Sequence, residues 1–111
     1  GLSEQLTEEE LAVFDLLSNF ELNADAEVRI KKIAKELLLK LKSEKLVLDW
    51  RKKQQTRADV MVTIKNLLFE ELPESYETKD YSHKSDLVYR HIYDSYYGEG
   101  KSVYEMVGAN A

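Results

Sequence analysis

Apolar and polar positions recur along this chain with a helical period, and four segments carry the pattern. Thr7-Glu8-Glu9-Glu10 has the form of a capping box, with acids in the first turn opposing the helix dipole. It predicts a first helix from about Thr7 to Asn19, with Val13, Phe14 and Leu17 on one face. Asn23 or Asp25 is placed to cap a second helix reaching about Ser43, whose apolar stripe is Ile30, Ile33, Ala34, Leu37 and Leu41. Leu46-Val47-Leu48 reads as a short buried connector, and Asp49 as the cap of a third helix running to about Leu72, before Pro73. The β-branched run Val60, Val62, Thr63, Ile64 weakens that helix, but length and period favour it over a strand. After a loop at Pro73 to Glu77, a fourth helix is predicted from about Thr78 to Tyr97. Tyr81, Val88, Ile92 and Tyr96 mark its buried face, and Gly98 is its left-handed stop.

One proline and four glycines in 111 residues favour helices over a many-turned β fold. The expected architecture is all-α: a single helical bundle of about four main helices, spanning residues 1–111 as one domain with a less regular C-terminal tail. At 43% apolar and 33% charged residues the composition is that of a globular domain and not a disordered segment. The apolar runs are too short to cross a bilayer, so no membrane is expected among the partners. Cysteine is absent, which excludes disulfides and thiolate sites and fits a cytoplasmic protein.

Charge is distributed unevenly. Residues 1–28 hold eight acids and no Lys or Arg, residues 29–57 hold eleven Lys or Arg and three acids, and residues 58–99 return to a net −5. Two readings remain open. Either the acidic helices pair with the basic ones inside the bundle, or the basic band meets DNA phosphate or an acidic protein surface. Lys32, Lys35 and Lys42 lie opposite the apolar stripe of the second helix, with Leu39 and Val28 among them. They read either as a solvated face or as a docking strip around an apolar anchor.

The third helix holds the least ordinary pattern. On a wheel of about 100° per residue, Trp50 shares a face with Val60, Met61, Ile64, Leu67 and Leu68. Arg57 falls near the middle of that face, with Lys53 and Gln54 at its edges. A guanidinium placed there needs an acid, a carbonyl or an aromatic ring to meet it, unless the first turns face a partner.

No motif for catalysis rises above background. Gly98-Glu99-Gly100 lacks the third glycine and the preceding strand of a dinucleotide site, and no phosphate-cradling loop occurs. His83 and His91 are separated by about 12 Å of helical rise, too far to share a metal. His91 reads as a partly buried histidine with a hydrogen-bond partner, and its spacing to Ser95 lacks any oxyanion hole. Asp59 followed by Glu77-Thr78-Lys79 has the letters of a metal-dependent nuclease, but that chemistry sits on sheet strands and these residues fall on helix or loop. Tyr89, Tyr93 and Tyr97 make a row at i, i+4, i+8 that reads as the edge of the core, or as a surface for stacking bases. No catalytic, cofactor-binding or metal-binding residue is assigned.

A set of spaced blocks carries a family resemblance: Leu48-Asp49-Trp50-Arg51-x-Lys53-Gln54-Gln55-x-Arg57-Ala58-x-Val60, then Leu72-Pro73-x-x-Tyr76, then Lys84. His91-Ile92 and Tyr96-Tyr97-Gly98-x-Gly100-x-Ser102-x-Tyr104 complete it. In these blocks the sequence resembles the C-terminal helical region of the restriction (R, HsdR) subunit of type I restriction-modification enzymes. The resemblance implies a large ATP-dependent motor with nuclease and helicase domains, assembled with methyltransferase (M) and specificity (S) subunits on DNA. The nucleotide, helicase and nuclease motifs of such a subunit have no counterpart in these residues. The chain is therefore expected to be a C-terminal fragment without cofactors of its own, whose parent uses ATP and Mg. Its implied role is assembly with the M and S subunits and with the rest of the R subunit. The alternatives are a DNA-contacting module of the same motor and an independent helical adaptor. Within the leading reading, Lys32, Lys35, Leu39, Lys42, Arg51 and Lys52 are expected to face the partner or DNA. Trp50 is expected to anchor the core, and Arg57 to hold a buried acid there.

Overall fold

The computed structural model describes residues 5–19, 22–98 and 100–104. Among them the chain forms four α-helices: α1 (Glu8–Leu17), α2 (Ala24–Lys40), α3 (Gln54–Glu71) and α4 (Thr78–Ser95). A small antiparallel hairpin, β1 (Tyr96–Gly98) and β2 (Lys101–Ser102), follows α4. The all-α bundle of four main helices is as the periodicity predicts, and most of the tail expected to be less regular lies outside the described residues.

Local signals start the first two helices where expected. The Thr7 hydroxyl accepts from the Glu10 N–H at 3.2 Å, and the Glu10 carboxylate accepts from the Thr7 N–H at 2.9 Å. This closes the box that satisfies two otherwise orphaned donors. Asn23, rather than Asp25, caps α2 by accepting from the Ala26 N–H at 2.8 Å. The stripe Ile30, Ile33, Ala34, Leu37 and Leu41 is buried throughout. It packs with Val13 and Leu17 of α1, Val60, Ile64 and Leu68 of α3, and Val88 and Ile92 of α4. Two long-range bonds pin the C-terminal end of α1 to the rest. The Tyr76 hydroxyl donates to the Leu17 carbonyl at 2.5 Å, and the Lys84 ammonium to the Ser18 carbonyl at 3.0 Å. Both carbonyls lie at the C-terminal end of α1, where no intrahelical partner remains for them.

The segment between α2 and α3 departs from expectation. Instead of ending near Ser43, the helix widens into a π-helical turn over Leu41–Lys45, closed by the Leu46 N–H donating to the Leu41 carbonyl at 2.8 Å. Leu46 is thereby folded onto the core, whereas Val47 and Leu48 are 45% and 55% exposed, so only the first residue of the connector is buried. Asp49 adopts the left-handed conformation (φ 58°) and does not cap with its side chain. A single 3₁₀ turn, Trp50–Lys52, follows, and Lys53 is extended (φ −113°, ψ 131°). The third helix is thus broken before it begins, and α3 starts at Gln54.

That break changes the phase of Trp50 relative to α3, while Arg57, in the first turn of α3, stays on the same helix as Val60, Ile64 and Leu68. Its guanidinium is half-buried and donates to the Arg51 carbonyl at 2.6 Å. Among the described residues no acid pairs with it, so the expected buried ion pair is replaced by a bond to backbone. The Thr56 hydroxyl likewise donates to the carbonyls of Trp50 (2.5 Å) and Lys53 (3.0 Å). Breaking a helix strands carbonyls that lose their intrahelical donors, and buried ones must be satisfied otherwise. Polar side chains that look misplaced on a continuous wheel serve those carbonyls. Lys53 and Gln54, expected at the edges of the core face, are exposed.

Gly98 is the other departure. Helix α4 ends at Ser95, and Tyr96 is already extended. Gly98 (φ 109°) closes the hairpin and not the helix, and a Cβ there would stand 2.5 Å from the Val47 carbonyl oxygen. Trp50 is fully buried beneath this corner and its indole N–H donates to the Tyr96 carbonyl at 3.1 Å.

Candidate functional site

The basic band expected to face a partner is divided by the fold into separate surroundings. Lys35 donates to the Glu10 carboxylate at 3.2 Å and to the Gln5 carbonyl at 3.1 Å. Lys42 meets both oxygens of Glu9, at 3.0 and 3.2 Å. The acidic first helix therefore lies against the basic second one, and two of its carboxylates meet lysines there. Burial pushes the Glu10 carboxyl up, but the Thr7 N–H, the Lys35 ammonium and the Thr7 hydroxyl outweigh it and hold the group below its ordinary value. Glu9 also accepts from the Tyr96 hydroxyl at 2.8 Å, which joins α1, α2 and the hairpin in one polar network. Burial, then the hydrogen bond to Glu9 and its charge, push that hydroxyl far above the usual phenol value.

Leu39 stands among these pairs. It is 71% exposed, and it shares a shallow hollow of about 390 Å³ with Thr7, Glu9, Glu10, Lys35, Leu38, Lys42 and Ser43. An exposed leucine alone means little, but here it is ringed by polar groups already held in place by one another. The rim is overall neutral, with two ammonium groups set against two carboxylates. A surface that binds DNA phosphate needs cations free to displace counterions. Lys35 and Lys42 are already matched.

The remaining members of the band lie elsewhere. Lys32 pairs with Glu36 at 3.7 Å and lines a different hollow, between α2 and α3. The Arg51 guanidinium lies 5.4 Å from the ring centre of Tyr93 and 5.0 Å from that of Tyr97, and donates to the Tyr93 carbonyl at 3.1 Å. Trp50 meets Tyr89 and Tyr93 edge-on, at 6.2 and 5.8 Å. The tyrosine row is thus the edge of the core, sealed by Arg51. Lys52 is exposed, 3.5 Å from Asp49.

The candidates for catalysis are dispersed. Asp59 accepts from the Gln55 amide at 3.1 Å on α3, while Glu77 and Asp80 form the capping box of α4. Among the described residues no group of three or more His, Asp or Glu is placed to hold a metal. His91 is half-buried, with Nδ1 3.4 Å from the Ser95 hydroxyl and Nε2 3.4 Å from the Tyr104 hydroxyl. Burial lowers its pKa, and the charge of Asp94 opposes the shift. No helix is long and apolar enough to cross a membrane among the described residues.

Sequence reasoning passed over Phe69, which is 75% exposed. A signal was present: Val62 and Phe69, seven residues apart, fall opposite Val60, Ile64 and Leu68 on the wheel of α3. A helix with apolar residues on two sides has a second surface to account for.

No curated protein and no solved structure matches the chain. One family model matches residues 1–94, from the N-terminal segment to the last turn of α4 and short of the hairpin. It describes the C-terminal region of type I restriction enzyme HindI endonuclease subunit-like proteins. With that match covering most of its 111 residues, the chain belongs to the family of C-terminal domains of type I restriction enzyme HindI endonuclease subunit-like proteins.

Proposed function

We propose that this chain is a non-catalytic, C-terminal helical domain of a much larger type I restriction endonuclease R subunit (HsdR). Its role is to support assembly of that subunit with the methyltransferase (M) and specificity (S) core. The parent would act in the cytoplasm and would supply ATP- and Mg-dependent translocation and cleavage from other domains. Family membership supports the setting. The observation that carries the docking role is Leu39, an exposed apolar side chain inside a rim of mutually paired charges. Such a rim is already ordered before a partner arrives, so less entropy is lost on binding. An apolar anchor with a polar surround is also the common anatomy of a protein–protein contact. The pairing of Lys35 and Lys42 with α1 favours this reading over a DNA-contacting module.

The test is a titration of the chain against the cognate M–S complex at two salt concentrations, with a DNA-only control. Saturable binding without DNA is expected. Replacement of Leu39 by Asp should weaken it by about tenfold or more, as loss of a buried apolar anchor requires. Melting should be almost unchanged, because Leu39 is a surface residue. Binding to DNA alone, lost in salt, would assign the domain to the duplex instead.

A further inference from the structure

A hollow of about 870 Å³ lies between the N-terminal half of α2 and the C-terminal end of α3. Phe69 is exposed along it, with the Tyr81 ring 5.8 Å away at an angle of 48°. Val28, 47% exposed, and the buried Ile33 also line it. The rim carries five carboxylates, Asp25, Glu36, Glu70, Glu71 and Glu74, against two cations, Arg29 and Lys32. Both cations are engaged: Arg29 with the Glu71 carboxylate at 3.4 Å and its carbonyl at 2.5 Å, and Lys32 with Glu36 at 3.7 Å. Asp25, Glu70 and Glu74 are exposed and form no ion pair among the described residues.

An aromatic face beside unneutralised carboxylates suits one kind of side chain. A guanidinium is flat, weakly hydrated and able to stack on a ring while its N–H fork meets a carboxylate. The molecule already uses this geometry internally, where Arg51 stacks against Tyr93 and Tyr97. We propose that the Phe69 hollow is a docking site for an arginine-bearing basic segment of a partner protein. The guanidinium lies on Phe69 within reach of Glu70 or Glu74, and a neighbouring apolar side chain lies on Val28. The net negative rim opposes a nucleic-acid occupant. This site is separate from the Leu39 surface, and neither proposal depends on the other.

The probe is a synthetic amphipathic peptide of arginine, leucine and alanine, titrated into the isotope-labelled 111-residue chain and followed by amide NMR shifts. A counterpart with glutamate in place of arginine is the control. Saturating shifts are expected at Val28, Phe69, Glu70 and Tyr81. Phe69→Ala should weaken binding by about three- to tenfold, the range for losing a cation–π contact. The double variant Glu70→Gln/Glu74→Gln should weaken it as well, and Leu39→Asp should leave it unchanged. Phe69 is a surface residue, and the melting curve of each variant checks its fold. The proposal is overturned by the absence of shifts at millimolar peptide, by equal binding of the glutamate peptide, or by shifts that persist unaltered in both hollow variants.

Discussion

Arg57 sits in the first turn of α3, on the same helix as the buried Val60, Ile64 and Leu68. The break at Lys53 leaves the Arg51 carbonyl within its reach, and the guanidinium donates to it. Losing a hydrogen bond from a half-buried charged group to backbone costs less than leaving one member of a buried ion pair unpaired. Arg57→Ala should therefore cost about 1–2 kcal/mol in urea unfolding, where a buried acid left unpaired would cost about 3–5 kcal/mol. His91 gives a second test at this scale. Its folded pKa lies below the ordinary 6.5 because burial disfavours the imidazolium. The unfolded chain then binds the proton more readily. The stability contribution is full above 6.5 and is lost as pH falls toward the folded value. The urea midpoint should fall between about pH 7 and pH 5.5 in the wild type and change less in His91→Gln.

At the scale of elements, the hairpin corner is the most demanding piece of backbone. Gly98 combines φ 109° with a carbonyl where a side chain would begin. Gly98→Ala should cost about 1–3 kcal/mol or more and lower the melting temperature. Gly100→Ala, at φ 77° with open space around it, should cost less. What the sequence makes legible among these elements is what local bonding decides. The Thr7–Glu10 box, the Asn23 cap and the buried stripe of α2 all act within one or two helical turns. The break before α3 is marked by neither Gly nor Pro, and it depends on how Trp50 is held. The end of α4 is set from a distance: Trp50, 46 residues earlier, takes the Tyr96 carbonyl, and the chain turns extended there instead of at Gly98. The second strip of α3 was legible through the spacing of Val62 and Phe69, but a search for one buried face passes over it.

For the whole molecule, the uneven charge along the sequence is resolved mainly by folding. The acidic α1 lies on α2 and matches Lys35 and Lys42, while Arg51 joins the tyrosines and Lys32 turns toward another hollow. Much of the basic band in the sequence is thus matched by carboxylates or rings in the fold. Sequence alone left both pairing and patch open, because which helix covers which is a tertiary matter. Leu39 was legible as an apolar residue on a polar face, and the fold adds that its charged neighbours are held by α1. The domain presents a neutral, pre-ordered surface at Leu39 and a negative, aromatic one at Phe69.

The most direct measurement of the docking role is amide hydrogen exchange of the chain, alone and with saturating M–S complex. Docking through Leu39 predicts slowed exchange concentrated in residues 35–43, and Leu39→Asp should abolish it. Unchanged exchange throughout, or protection confined to other surfaces, would contradict the account.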